Sequence, residues 1–215
     1  MQARLLAPIA AFLVAWAAAG GALAQTASPG APQAAAAPAP VHIRGTIAKA
    51  TRHELVVNQR GGGSADITLA DPLTVSTLKR VPLSAIGNDA YVGIASRKGP
   101  NGVAQALEVL VFPPAMRGAG EGHYAWDLQP DSMMTNAPVT GIAKLKSGRD
   151  LTLTYKGGSF TVHVPPKTPI VTFAPASQAD LKRGRKVFLI ARKDAAGHLS
   201  TARVTVGTHG VNPPM

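Results

Sequence analysis

The sequence predicts an all-β protein: two tandem small OB-like β-barrels behind a cleaved signal peptide. Three observations predict it. Short alternating runs rich in Val, Ile, Thr and Leu recur between residues 42 and 206, separated by Gly, Pro, Asn and Asp. Beyond the leader no stretch keeps a long helical period. The series of runs also occurs twice in the same order, which chance does not readily produce.

The leader comes first. Arg4 supplies a positive start, residues 5–19 are apolar, and Gly20 and Gly21 precede Ala22-Leu23-Ala24, a small-x-small cleavage pattern. Cleavage is expected between Ala24 and Gln25, giving a Sec-type periplasmic or secreted address. The apolar core falls short of the about 20 residues of a spanning helix, and no later stretch is apolar enough to span. The chain has no cysteine, which removes disulfides, thiol catalysis and thiolate metal sites. Residues 25–40 are Ala, Pro, Gly, Ser, Thr, Val-free and uncharged, with two Gln, and read as a disordered tether.

The first barrel is expected over residues 41–112, with strands at 42–50, 54–59, 65–69, 74–78, 90–96 and 103–111. The second is expected over 139–207, with strands at 139–145, 150–155, 159–164, 170–173, 186–192 and 199–206, and a tail at 208–215. The copies correspond throughout. Gly45-Thr46-Ile47-Ala48-Lys49 answers to Gly141-Ile142-Ala143-Lys144, and the glycine turn after Gln59 to Gly157-Gly158. Ile94-Ala95-Ser96-Arg97-Lys98 with Gly102 and Ala106 answers to Leu189-Ile190-Ala191-Arg192-Lys193 with Gly197 and Ala202. Five or six short strands in each copy suit a small closed barrel, since closure removes exposed edges.

Each half resembles small secreted bacterial β-domains of a family of unknown function. The second half carries the likeness in Leu181-Lys182-Arg183-Gly184-Arg185-Lys186-Val187 and in Gly197-His198-Leu199-Ser200-Thr201-Ala202-Arg203-Val204. In the first half, Ile86-Gly87-Asn88-Asp89 compresses the hairpin lead-in. The resemblance implies an OB-like barrel and no activity. Whole-chain look-alikes are sometimes labelled metal transporter permeases. A chain without a span after its leader does not fit a permease, so the label points at most towards metals.

Residues 113–138 belong to neither copy. This Gly-rich segment holds Arg117, Glu121, His123, Tyr124, Trp126 and Asp127, followed by Met133 and Met134. Polar and aromatic side chains on a glycine-rich loop between rigid scaffolds suit a ligand- or partner-binding site. Three readings follow. Trp126 and Tyr124 pack in the groove between barrels while Arg117 pairs with Asp127 or Glu121. Alternatively, His123, Glu121 and Asp127 ligate Zn, or Cu with a methionine added. In the third, an exposed Trp/Tyr loop recognises a partner. Glu121 and Asp127 as the acid/base pair of a glycan hydrolase is an outside reading.

Charge is uneven. The chain holds 22 basic and 11 acidic residues; residues 139–206 carry 12 of the basic and 3 of the acidic ones. Within them Lys182, Arg183, Arg185 and Lys186 form a candidate anion site. In an envelope compartment the expected partner is another envelope protein or an anionic envelope component. Nucleic acid is disfavoured, because few aromatics accompany the basic residues to stack bases. No Gly-x-Ser-x-Gly, His-Glu-x-x-His or Walker loop is present, so no catalytic residue is assigned. A non-catalytic binding or accessory protein is the expected function, and a metal-binding protein its alternative.

Overall fold

The computed structural model describes residues 40–99 and 102–213. The expected signal peptide, all of the tether but Pro40 and the end of the tail lie outside the described residues. The described chain is all-β. Its strands are β1 (Val41–Ala50), β2 (Glu54–Gln59), β3 (Ser64–Arg80), β4 (Tyr91–Lys98), β5 (Ala104–Val111), β6 (Gly122–Trp126), β7 (Ser132–Leu145), β8 (Gly148–Tyr155), β9 (Gly158–Val164), β10 (Ile170–Pro175), β11 (Lys186–Lys193) and β12 (Leu199–Val206). Among the described residues no helix is long and apolar enough to cross a membrane.

One ring is a closed five-stranded barrel. Its order is β1-β2-β3-β12-β11 and back to β1, and a parallel pairing of β3 with β12 closes it. This is a Greek-key order of the OB type. Alternation explains its core: Leu55 and Val57 of β2, Ile67 of β3 and Val187 and Leu189 of β11 all point inward and are fully or almost fully buried. Each such side chain contributes about 1.5–3 kcal/mol by leaving water.

A second set of strands repeats the order as β7-β8-β9-β5-β4 and back to β7. Its closure rests on one parallel pair, Gln105 with His163. Val92, Ile94, Val109, Val139, Leu151, Leu153, Val162 and Val164 fill its interior.

The expected tandem arrangement is therefore corrected: each ring draws strands from both halves of the chain. The first three strands of the chain close with its last two, and β7, β8 and β9 close with β4 and β5, a reciprocal arrangement of the kind seen in swapped dimers, here within one chain. The reason lies in β3. The sequence divides this region into two strands, yet the chain stays extended for 17 residues instead of turning back. At about 3.3 Å per residue, such a strand carries the chain from one ring to the other. Its far end, from Ser76 to Arg80, pairs antiparallel with β10, and β10 pairs parallel with β5. These pairings join the rings into one sheet.

The segment 113–138 is also corrected. It is not a loop but a 3₁₀ turn at Pro114–Met116 followed by a hairpin, β6 against a β7 that begins seven residues earlier than expected. Glycine density hid the strand: in Gly118-Ala119-Gly120-Glu121-Gly122 three of five residues are Gly, and all three take positive φ, Gly122 at the first pair of the hairpin.

Candidate functional site: a cleft between the rings

Several strands are apolar on both faces, and the outward set builds the site. On β11, Val187 and Leu189 point into the first ring while Phe188 and Ile190 point out. On β4, Val92 and Ile94 point into the second ring while Gly93 and Ala95 point out. Between these outer faces lies a cavity of about 520 Å³ whose exposed lining is overwhelmingly apolar. Phe112, Tyr124, Trp126, Phe173 and Phe188 supply its aromatic walls. Ring centroids of Phe112 and Phe173 lie 6.1 Å apart, and those of Trp126 and Phe188 also 6.1 Å.

The β6–β7 hairpin forms one wall. The Ser132 hydroxyl lies 2.8 Å from the carbonyl oxygen of Trp126 and accepts the Gln129 N–H at 3.1 Å, fixing the turn. Asn136 Nδ2 donates to the Gly120 carbonyl and to the Tyr124 hydroxyl, both at 3.0 Å, tying the other end. Within this wall Asn136 Oδ1 and Trp126 Nε1 are buried and make no hydrogen bond. An unsatisfied buried donor or acceptor costs about 1–3 kcal/mol. The cleft also contains Glu108, whose carboxyl is pushed up to about 7, mainly by burial and against the pull of Arg80.

At one end of the cleft His42 joins it to an open polar depression lined by Arg44, Gln59, Arg60, Asp127 and Gln129. Arg44 is buried. Its guanidinium lies 5.0 Å from the Trp126 ring centre and 4.6 Å from that of Phe188, and Nη1 donates to Asp127 Oδ2 at 2.6 Å. His42 Nδ1 lies 3.0 Å from Asp127 Oδ1, and its ring is 4.6 Å from that of Trp126. Burial raises the Asp127 pKa, but bonds from Arg44 and His42, with their charge, outweigh it and hold the carboxyl below its ordinary value.

A carboxylate held low stabilises the fold above its ordinary pKa, and that support fades as acid protonates it. Asp127→Asn is expected to cost about 1–2 kcal/mol at neutral pH, discounted because Asp127 is half-exposed. The gap to wild type should close in strongly acid solution, below pH 3.8. Urea unfolding at both pH values checks this; an equal gap at both would contradict the charge-based account.

Comparison with protein-family models, with curated proteins and with solved structures finds no match. The site must be read from its own residues.

Of the residues singled out in the sequence, the fold brings Tyr124, Trp126 and Asp127 together at the cleft and its mouth. The others go elsewhere. Arg117 pairs neither with Asp127 nor with Glu121; its Nη2 donates to Asp89 Oδ1 at 2.6 Å. Glu121 accepts the Lys156 N–H at 2.9 Å. His123 sits on the opposite face of β6, 2.8 Å from the Thr135 hydroxyl and 4.4 Å ring to ring from Phe160, with its pKa lowered by burial. The expected metal set of His123, Glu121 and Asp127 is therefore not assembled, and no group of three His, Asp or Glu residues gathers among the described residues. The same dispersal separates Glu121 from Asp127 as an acid/base pair.

The basic turn is partly tied up. Arg185 donates to Asp180 Oδ1 at 3.0 Å and Lys186 to the Thr46 hydroxyl at 2.8 Å, while Lys182 and Arg183 are exposed. Sequence reasoning missed His42, Arg44, Glu108, Asn136 and the phenylalanine walls. The available signal was Val187-Phe188-Leu189-Ile190, a run apolar at consecutive positions that marks a strand covered on both faces.

Proposed function

We propose that this chain is an exported, non-catalytic binding protein whose site is the cleft between the two rings, and that it holds an apolar small molecule there. The cavity carries the reading. It has the size of a small-molecule site, mostly apolar walls and a few convergent polar atoms. Polar side chains on the lining are few, among them Glu108, Tyr124 and Asn136. The leader supports export.

Titration with a neutral environment-sensitive apolar dye tests it. Saturable binding at one site is expected, and Tyr124→Ala, at the half-exposed rim of the aromatic wall, should weaken it about tenfold. Binding that is unsaturable, or indifferent to Tyr124, would contradict the assignment. The metal reading has no comparable support in the geometry. Neither Zn nor Cu is required by any residue set described above.

A further inference from the structure

We propose that the natural occupant of the cleft is an anionic amphiphile, a long-chain carboxylate whose tail lies between the aromatic walls and whose head lies in the adjoining polar depression. This rests on the cleft being a binding site and adds the chemistry of its ligand.

The two spaces adjoin at His42, which lines both. One is almost wholly apolar, and the other carries the charged and amide side chains of Arg44, Arg60, Asp127, Gln59 and Gln129, so together they match a molecule with a tail and a head. The sign of the head follows from the charges around the depression. Arg44 and Arg60 stand against Asp127 alone, and because Arg44 already holds Asp127 at 2.6 Å, Arg60 carries the excess positive charge. The Arg60 N–H donates to the Arg44 carbonyl at 2.8 Å, so the first ring's own ladder edge sets the two basic residues side by side. Arginine presents a planar fork suited to a carboxylate. Gln59 and Gln129 add amide groups. The field of the whole chain has the same sign, with 22 basic against 11 acidic residues, and would draw anions to the mouth.

A cationic head is the rival, because Glu108 lies in the cleft. Burial keeps Glu108 largely protonated up to about pH 7, and Arg80 already acts on it, so it is a poor partner for an ammonium group under mildly acid conditions.

Calorimetric titration of the purified protein with decanoate, decanol and decylammonium, all below micelle formation, separates these cases because only the head differs. Decanoate should bind at one site, at least tenfold tighter than decanol, with decylammonium weakest. Arg60→Glu, at an exposed position, should bring decanoate down to the level of decanol and leave decanol unchanged. Equal affinity for all three would overturn the anionic head while leaving the cleft as the site. Tightest binding of decylammonium, lost in Glu108→Gln, would overturn it in favour of a cation site. Absence of binding by all three would remove the cleft reading itself.

Discussion

Glu108→Gln is expected to be more stable than wild type at pH 8, by on the order of 2–3 kcal/mol, and to lose most of that advantage at pH 4. Folded Glu108 keeps its proton to about pH 7 because its carboxyl faces an apolar cleft, whereas the unfolded chain releases it near 4.5. Between those values the unfolded state binds fewer protons, so stability falls as pH rises, and the full penalty is present above pH 7. Gln has the same shape and no charge to desolvate, so the penalty is absent in the variant. Arg80 is the named charge that opposes the shift, and it is too weak to cancel it. Thermal or urea unfolding at the two pH values decides the matter. A variant no more stable than wild type at pH 8 would mean that water reaches Glu108 and that the cleft is wetter than its walls imply. Such a partly buried ionisable group, kept at a cost to the fold, suits a site better than a scaffold.

The second expectation concerns the exchange of strands. A chain cut by a protease at a site inserted in the exposed turn at residues 117–120 should remain one particle on gel filtration under native conditions. The pieces are held by β1 against β11, β3 against β12 and β10, β4 against β7, and β5 against β9 and β10. Both cores are shared as well: in the first, Ile43 and Leu55 pack with Leu189 and Val206 from the other piece. Two pieces that separate as independent folded units would instead show tandem barrels. Separation should require denaturant, and removing the denaturant from mixed pieces should restore the particle.

Much of this was legible in the residues. Strand positions followed from alternation and glycine turns: 54–59 and 199–206 coincide with β2 and β12, and most other boundaries shift by one or two residues. The two rings pair their strands in the same order, β1 with β11 in one and β7 with β4 in the other. Partner choice was not legible. Alternation says which face of a strand is buried, but it is blind to which strand lies beside it, because strands in the two halves of the chain offer nearly the same pattern. Only the continuity of β3 through Ala70-Asp71-Pro72 distinguishes the exchanged form, and an Asp-Pro pair reads as a turn in a sequence.

The candidate site divides in the same way. Trp126 and Tyr124 stood out as large aromatics in a segment unlike its surroundings, and both line the cleft. Asp127 was chosen as a metal ligand and instead anchors Arg44 and His42. Those two lie more than eighty residues away in the chain, so no local pattern could link them. Glu108 reads as an ordinary charged residue on the polar face of a strand. It becomes unusual only because the exchange places a second apolar surface over that face.

The most direct test of the cleft as the binding site is the Trp126 indole N–H signal in a nitrogen–proton correlation spectrum, recorded as decanol is added. The Trp126 ring lines the cleft, so a ligand seated there changes the magnetic surroundings of its indole. A saturable shift of that signal, accompanied by Ala95 and Ile190 and spared at Lys182 and Arg183, is the expected result. Saturable binding that leaves Trp126 unmoved while shifting the turn at residues 182–186 would place the site elsewhere and contradict the account.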